Sequence, residues 1–345
     1  MTEREIRVGI VGCGQIALRS HAPGFVRVPS VRIAAVMDPD AKRAEALRES
    51  VAPEAKVFTD YEAMLDSGLD AVSICTPNHL HCSMTLSALG RGLHVLCEKP
   101  IAGTLADADR MLAAATEAGR VLQINQSLRY HRLYATMAAL VQQGRVGEVQ
   151  HVRCIRAGSS PPNKGWSPGA DWFVSKAAQG GLLLDIGIHM VDVIRWVAGD
   201  IVSVQGDVNA RTPGMEVPDN VRALMRHADG ATSVLELSWT FPAGASGFEI
   251  HGTKGKLQVV PGDPSLELTT FDEQGERVVS HPELIDDPAD SYASFARAIH
   301  GEIESVTPGE LGRDALAICQ AIADSSEQGQ RVALPTYCYQ QTVGA

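Results

Sequence analysis

The chain has 345 residues, enough for two domains of ordinary size, and its apolar fraction of 45% with a charged fraction of 21% places it among soluble globular proteins. A formal net charge of −11 speaks against a general nucleic-acid binder, whose phosphate contacts need clustered Lys and Arg, and against docking on anionic membranes. Residues Met1–Arg7 carry no secretory apolar region, and no run approaches the roughly 18 apolar residues that span a bilayer, so a cytoplasmic protein with no membrane partner is expected. Seven cysteines without a C-x-x-C pair point to reduced thiols, not to a disulfide framework or a metal site, and Cys97 reads as a small core residue.

In chain order, Ile6–Val11 is apolar and β-branched and ends at a glycine, as a buried parallel strand does. Gln15–Val26 reads as a helix that Pro23 should end early. Strands at Val31–Met37, Val57–Phe58, Ala71–Cys75, His94–Cys97 and Val121–Ile124 alternate with helices at Ala41–Ser50, Tyr61–Ser67, Leu80–Arg91 and Leu105–Ala118. This series predicts a parallel sheet covered by helices on both sides.

The alternation stops near Asn125. From Val149 the chain reads as longer strands: Val149–Ala157, Ile201–Ala210, Asn220–His227, Thr232–Thr240, Gly247–Gly252 and Lys256–Val260, which suit a large antiparallel or mixed sheet. Helices are expected at Asp185–Ala198, Ser291–His300 and Leu311–Gln328. Gly158–Gly169, rich in Pro, Gly and Ser, reads as a loop able to contribute to a site. Two domains follow, residues 1–124 and 125–345, and the closing helix is expected to pack back on the first.

Four strand ends carry chemistry. Gly12-x-Gly14-x-x-Ala17 follows the first strand and opens a helix at Gln15 and Ile16; its glycines permit a tight turn and close backbone approach, and the helix start offers amide donors to a pyrophosphate. Asp38, just past the second strand, should accept from an adenosine ribose diol and repel a 2′-phosphate, which favours NAD; Lys42 and Arg43 leave NADP possible. Thr76-Pro77-Asn78-His79, with His81 beyond it, and Cys97-Glu98-Lys99-Pro100 end the fourth and fifth strands, where ligands of such sheets bind. Lys99 there offers a compact positive charge that favours an alkoxide. Thr76, Pro77, Asn78, His81, Glu98 and Lys99 are therefore placed at the cofactor, and Asn125, where the alternation stops, is placed with them.

The segment Gly180-Gly181-Leu182-Leu183-Leu184-Asp185-Ile186-Gly187-Ile188-His189-Met190-Val191-Asp192 puts an acid and an imidazole four residues apart, one helical turn on one face. A carboxylate beside a histidine makes a proton-transfer group that titrates near neutral pH. Leu182, Ile186, Met190, Val193 and Val197 should bury a core face, with Asp185, His189 and Asp192 on another.

Taken together, Gly12-x-Gly14-x-x-Ala17, Asp38, Thr76-Pro77-Asn78, Glu98-Lys99-Pro100, Asn125 with Arg129-Tyr130, Gly180-Gly181…Asp185-Ile186-Gly187-x-His189-x-x-Asp192 and the closing Ser325-Ser326…Gly329 resemble the Gfo/Idh/MocA oxidoreductases over essentially the whole chain. The resemblance implies an α/β protein with an N-terminal Rossmann domain, and a C-terminal α/β domain whose open, mostly antiparallel sheet forms a homo-oligomer interface, giving a dimer or tetramer. It implies a nicotinamide cofactor and a sugar, sugar-derivative or cyclitol substrate. Lys99 resembles the substrate-polarising lysine, and Asp185 and His189 the other catalytic residues, with His189 the general acid/base. The Lys99–Pro100 bond is expected to be cis. Arg129, Tyr130, Arg156, Trp166 and Trp172 are substrate-pocket candidates.

The leading expectation is an NAD(P)-dependent dehydrogenase acting on a sugar or cyclitol hydroxyl. Two others stand beside it. One is a glycoside hydrolase or lyase that reduces and reoxidises its NAD within one turnover, with Tyr130 or Tyr134 as an added base. The other is a non-catalytic sugar or dinucleotide sensor, which has no need of Lys99, Asp185 and His189 together.

Overall fold

The structure, a computed structural model, describes residues 4–260, 262–286, 290–334, 337 and 339. Cys338, one of the seven cysteines, lies outside them. The chain divides into two compact units, residues 1–126 with 289–313 and residues 127–288 with 314–345.

In the first unit β1 (Ile6–Val11), β2 (Val31–Met37), β3 (Lys56–Phe58), β4 (Ala71–Ile74), β5 (His94–Cys97) and β6 (Leu122–Ile124) form one parallel sheet in the order β3-β2-β1-β4-β5-β6. The order reverses between β1 and β4, the switch point of a doubly wound sheet. β4 is buried at every residue, as a parallel strand covered on both faces must be. The helices are α1 (Ala22–Val26), α2 (Ala41–Val51), α3 (Tyr61–Leu65), α4 (His81–Gly90) and α5 (Leu105–Ala118). Asp40 and Thr104 cap α2 and α5 with side-chain bonds to Lys42 and Asp107 N–H.

Pro23 does not end the first helix. The helix runs from 15 to 26 through a wide π-turn at Ala17–His21, and Pro23 falls in the first turn of α1. The Ala22 N–H bonds Ala17 O five residues back. Such a widened turn, with Pro23 at a helix start, spares the N–H that proline lacks.

The second unit holds α6 (Arg132–Gln142), β7 (Val149–Ala157), α7 (Ile188–Ala198), β8 (Ile201–Asn209), β9 (Asn220–His227), β10 (Thr232–Ser238), β11 (Ala245–Gly252), β12 (Gly255–Val259), β13 (Leu266–Phe271) and β14 (Arg277–Ser280). After α8 (Ser291–Ile299) and α9 (Gly309–Gln328), β15 (Val332–Ala333) completes a nine-stranded sheet, β14-β13-β12-β11-β7-β10-β9-β8-β15. Every described pairing in it is antiparallel except β10 with β7. β9 alternates buried and exposed residues, so the sheet packs one face and shows the other. α6, β13, β14 and β15 were not anticipated by the sequence reading; β15 has two residues and β14 is exposed throughout, so neither shows an inside–outside alternation.

The first unit takes back residues 289–313 because β6 needs a partner beyond the parallel sheet. Ile124 N–H bonds Thr307 O, and Gln123 Nε2 donates to Ser291 O at 2.8 Å. Tyr292 and Phe295 of α8 fill the core beside Phe25, Ile10 and Leu47. The first residues of α9 lie in this unit, where a side chain on Gly312 would meet Ile124 at 2.7 Å.

Candidate active site

In the first unit the candidate residues collect at the carboxyl ends of the strands. Gly12 has φ +84°, and a Cβ there would lie 2.9 Å from Cys75 O, so only glycine holds this turn. A Cβ on Gly14 would meet nothing within 4 Å: its surroundings are open. Gln15 and Ile16 supply the first N–H groups of the helix that follows. Asp38 is buried and accepts the Cys13 N–H on Oδ2 and the Asp40 N–H on Oδ1, both at 2.9 Å, which ties the end of β2 to the glycine turn. Arg43 pairs with Asp40 at 3.7 Å. Burial, with the Asp38 charge adding to it, pushes the Cys13 thiol up to about 12. Burial also pushes the Cys97 thiol up, as expected of an inert core residue.

Over β4, β5 and β6 the polar groups turn toward one another. Glu98 is buried; its Oε1 lies 2.7 Å from His21 Nε2 and accepts from Asn125 Nδ2 at 2.6 Å. Burial would raise this carboxyl, but the His21 bond and charge, the Lys99 charge and the Asn125 bond hold it down to about 2. His81 is buried, with its ring between Pro100 O at 2.7 Å and Thr76 O at 2.9 Å; it clips two loops together. A neutral ring has one N–H, so it donates to one of these carbonyls at a time, and burial lowers its pKa and keeps it neutral. Lys99 is half-buried, and the Lys99–Pro100 bond is cis. Thr76 Oγ1 and Asn125 Oδ1 are buried and have no hydrogen-bond partner among the described residues.

In the second unit the Asp185–His189 segment is helical, with a local difference. Leu183–Gly187 forms a π-turn, closed by Ile188 N–H on Leu183 O, and α7 begins after it. Asp185 therefore sits in the wide turn and His189 in the first turn of the α-helix beyond. Gly187 allows this, since a side chain there would meet Leu183 at 2.8 Å and Leu237 at 3.2 Å. Leu182, Met190, Val193 and Val197 are buried as expected, and Ile186 is half-buried. The acidic side is not a solvated face: Asp185 and Asp192 are both buried, and His189 is half-buried.

Arg129 points into this protein interior. Its Nε and one terminal nitrogen donate to the two oxygens of Asp192, each at 2.8 Å, and its guanidinium lies 4.9 Å over the Trp196 ring. Tyr130 beside it is half-buried. Trp172 stacks on Phe173 at 3.7 Å, and Trp166 meets Phe173 edge-on at 6.0 Å with 42% of its surface exposed. Tyr134 is buried, and burial raises its phenol even with Arg156 bonded to it.

Sequence reasoning missed His21. The available signal was a histidine midway along the nucleotide-loop helix, seven residues after Gly14, where an apolar residue would ordinarily pack.

The family's oxidoreductase model, described as an NAD-binding Rossmann fold, matches residues 6–126, and its C-terminal domain model matches residues 134–258. A 1,5-anhydro-D-fructose reductase from Ensifer adhaerens is 32% identical over 96% of this chain and 99% of its own. The chain belongs to the GFO/IDH/MocA family of oxidoreductases. A myo-inositol 2-dehydrogenase from Thermotoga maritima is 26% identical over 95% of this chain and 98% of its own. The WlbA dehydrogenase from Bordetella pertussis, solved with NADH and UDP-GlcNAcA, superposes with a TM-score of 0.84 at 25% identity, covering 96% of this chain and all of that one. As a family member the chain is an NAD(P)-dependent oxidoreductase, with NAD as its cofactor and residues 6–126 as its NAD-binding Rossmann domain. The residues fit that cofactor: the turn at Gly12 admits no side chain, the space at Gly14 is open, and buried polar atoms on Thr76 and Asn125 await partners. Among the described residues no helix is long and apolar enough to cross a membrane.

Proposed function

We propose that the protein oxidises a hydroxyl of a sugar, sugar derivative or cyclitol, or reduces the corresponding keto group. The observation that supports this most is the near full-length similarity to a 1,5-anhydro-D-fructose reductase in a chain that carries Lys99, Asp185 and His189. Gly12, Gly14, Gln15 and Ile16 would hold the pyrophosphate, Asp38 the adenosine ribose, and Thr76, Pro77, Asn78 and Asn125 the nicotinamide half. Bound there, NAD supplies the two-electron acceptor or donor for the reacting carbon.

His189 takes the hydroxyl proton in oxidation and returns it in reduction. Lys99 places its ammonium against the oxygen and stabilises the alkoxide. Asp185 orients the substrate hydroxyl and the imidazole. Tyr130, Trp166 and Trp172 shape the substrate pocket, with the indole rings offering stacking faces to a sugar. Arg129, held through Nε and one terminal nitrogen by Asp192, supports Tyr130. The exposed sheet face, where Leu224 and Val234 lie opposite each other, joins subunits into a dimer or tetramer; light scattering on the purified protein checks this.

The deciding experiment follows NADH fluorescence across monosaccharides, inositols and anhydrosugars in both directions. Turnover with at least one, lowered about 10²–10⁴-fold by His189→Ala, is expected. Silence with all of them, or indifference to His189→Ala, overturns the reading. Glycoside cleavage without net NADH would replace it with the redox-assisted hydrolase.

A further inference from the structure

Beneath the start of the Lys99 loop lies a closed group of buried polar side chains, all within the first unit. His21 is fully buried at the end of its π-turn. Its Nδ1 is 2.7 Å from Ser73 Oγ on β4, and its Nε2 is 2.7 Å from Glu98 Oε1. Tyr292 meets the imidazole edge-on, with centroids 5.3 Å apart, and is itself held by a 2.7 Å bond to Ser20. Glu98 also takes Asn125 Nδ2 on Oε1, and on Oε2 the backbone N–H of Lys99 at 3.2 Å.

The partners assign the protons. Glu98 as a carboxylate only accepts, so Nε2 carries a proton and donates to it, whichever way the Ser73 hydroxyl turns toward Nδ1. Glu98 then faces three donors, as an ionised carboxylate does. A buried charge of this kind is no better for stability than well-packed apolar residues of similar volume, so stability alone does not account for it. Two further facts point to use. π-turns inside helices occur frequently at functional sites, and this one ends on His21. The carboxylate it fixes grips the main chain of the very residue assigned to the substrate oxygen.

We propose that His21 is a positioning residue for Lys99, acting through Glu98, and that the pair struts the nucleotide-loop helix against the strand end that carries the lysine. The proposal rests on the reading of Lys99 as the substrate-polarising residue. With the strut in place, the Lys99 main chain has one position, and the ammonium swings from a fixed root. Without it, the loop keeps its fold but loses register, and a displacement on the order of 1 Å is enough to lower turnover about 10²-fold.

The test compares His21→Phe, His21→Gln, Glu98→Gln and a control, Phe25→Leu. Phenylalanine keeps the volume against Tyr292 and removes both nitrogens. Glutamine keeps a donor toward Glu98. Phe25 packs in the same helix and against Tyr292 and has no polar atom to bond Glu98, so its variant reports loosening alone. Three quantities are read: kcat and KM on the best substrate from the screen, the NAD dissociation constant, and hydrogen–deuterium exchange of the peptide containing the Lys99 amide.

His21→Phe is expected to lower kcat about 10–100-fold, to leave the NAD dissociation constant within about threefold, and to speed exchange at the Lys99 peptide. His21→Gln should recover most of kcat. Phe25→Leu should lower the melting temperature without the loss in kcat or the faster exchange. The proposal is overturned if His21→Phe matches Phe25→Leu in kcat and exchange at equal loss of melting temperature, or if His21→Gln recovers nothing. Should His21→Phe not fold, Glu98→Gln decides alone: unchanged kcat and exchange overturn the proposal. If the wild type turns over no sugar, the proposed activity fails, while the exchange comparison still decides whether His21 positions Lys99.

Discussion

Arg129 and Asp192 are joined by two parallel hydrogen bonds of 2.8 Å between side chains that are 6% and 2% exposed. The pair fastens the turn at Ser127–Tyr130 to α7, the helix that carries His189. Asp192→Ala leaves a guanidinium buried without its carboxylate and should destabilise the protein by about 3–5 kcal/mol. Replacing both residues together, Arg129→Met with Asp192→Leu, should lose markedly less. Thermal unfolding of the two variants checks this; a double variant as unstable as the single would contradict it.

Gly12 and Gly14 should separate folding from cofactor binding. Gly12→Ala meets Cys75 O and sits at φ +84°, so a loss of about 1–3 kcal/mol in stability is expected along with lost NAD binding. Gly14→Ala enters open space, so the melting temperature should barely move while NAD affinity falls. Calorimetry with and without NAD distinguishes the two; equal melting temperatures for both variants would remove the strain argument.

Asp38→Ala should relax cofactor choice. The carboxylate that would face a 2′-phosphate disappears, and the ratio of kcat/KM for NAD over NADP should drop at least about tenfold, or roughly 1.4 kcal/mol. Because Asp38 also accepts the Cys13 N–H, some affinity for both cofactors should be lost as well. An unchanged ratio would assign cofactor choice to other residues.

Acid should weaken the first unit before its carboxylates protonate. His94 Nδ1 accepts the Val121 N–H at 3.0 Å, which requires an unprotonated nitrogen. Burial, aided by the Arg120 charge and opposed by Asp70, lowers its pKa from 6.5 to about 4. The unfolded chain therefore takes up this proton first as pH falls. The stabilisation is whole above pH 6.5 and is lost as pH falls from 6.5 to about 4. His81, lowered mainly by burial, acts in the same direction in this unit, and His227 does so in the second. Glu98 contributes at lower pH: its stabilisation is present above about 4.5 and is lost as pH falls toward 2. Melting temperature followed from pH 7.5 to 4.5 should fall, and less steeply in His94→Asn, whose amide oxygen still accepts the Val121 N–H. A flat profile in the wild type would refute the assignment.

Much of this protein is local. β1, β2, β5, α5, β7 and β9 have the limits read from apolar runs, alternation and caps, because burial on one or both faces imprints a period of two or none on a strand and 3.6 on a helix. The glycine turn and Asp38 likewise sit where strand ends put them. The π-turns at Ala17–His21 and Leu183–Gly187 left no such imprint: one extra residue in a turn changes no composition and shifts the pattern by less than it ordinarily varies.

Partner choice was the part no periodicity could carry. Glu98 reads as a cofactor contact beside Lys99, and folding turns its carboxylate to His21, 77 residues away; Arg129 reads as a pocket residue, and folding spends it on Asp192, 63 residues away. A charged side chain has the same signature in sequence whether it meets solvent, ligand or a buried counter-charge. What the sequence by itself determined was the strand–helix alternation of the first unit, the change to longer strands after it, the nucleotide loop, the family and a set of candidate residues, since these rest on neighbours along the chain. Which of those residues are bound inward as struts was decided only by the tertiary structure, where desolvation compels every buried charge to find a partner from whichever strand end or helix the topology brings near.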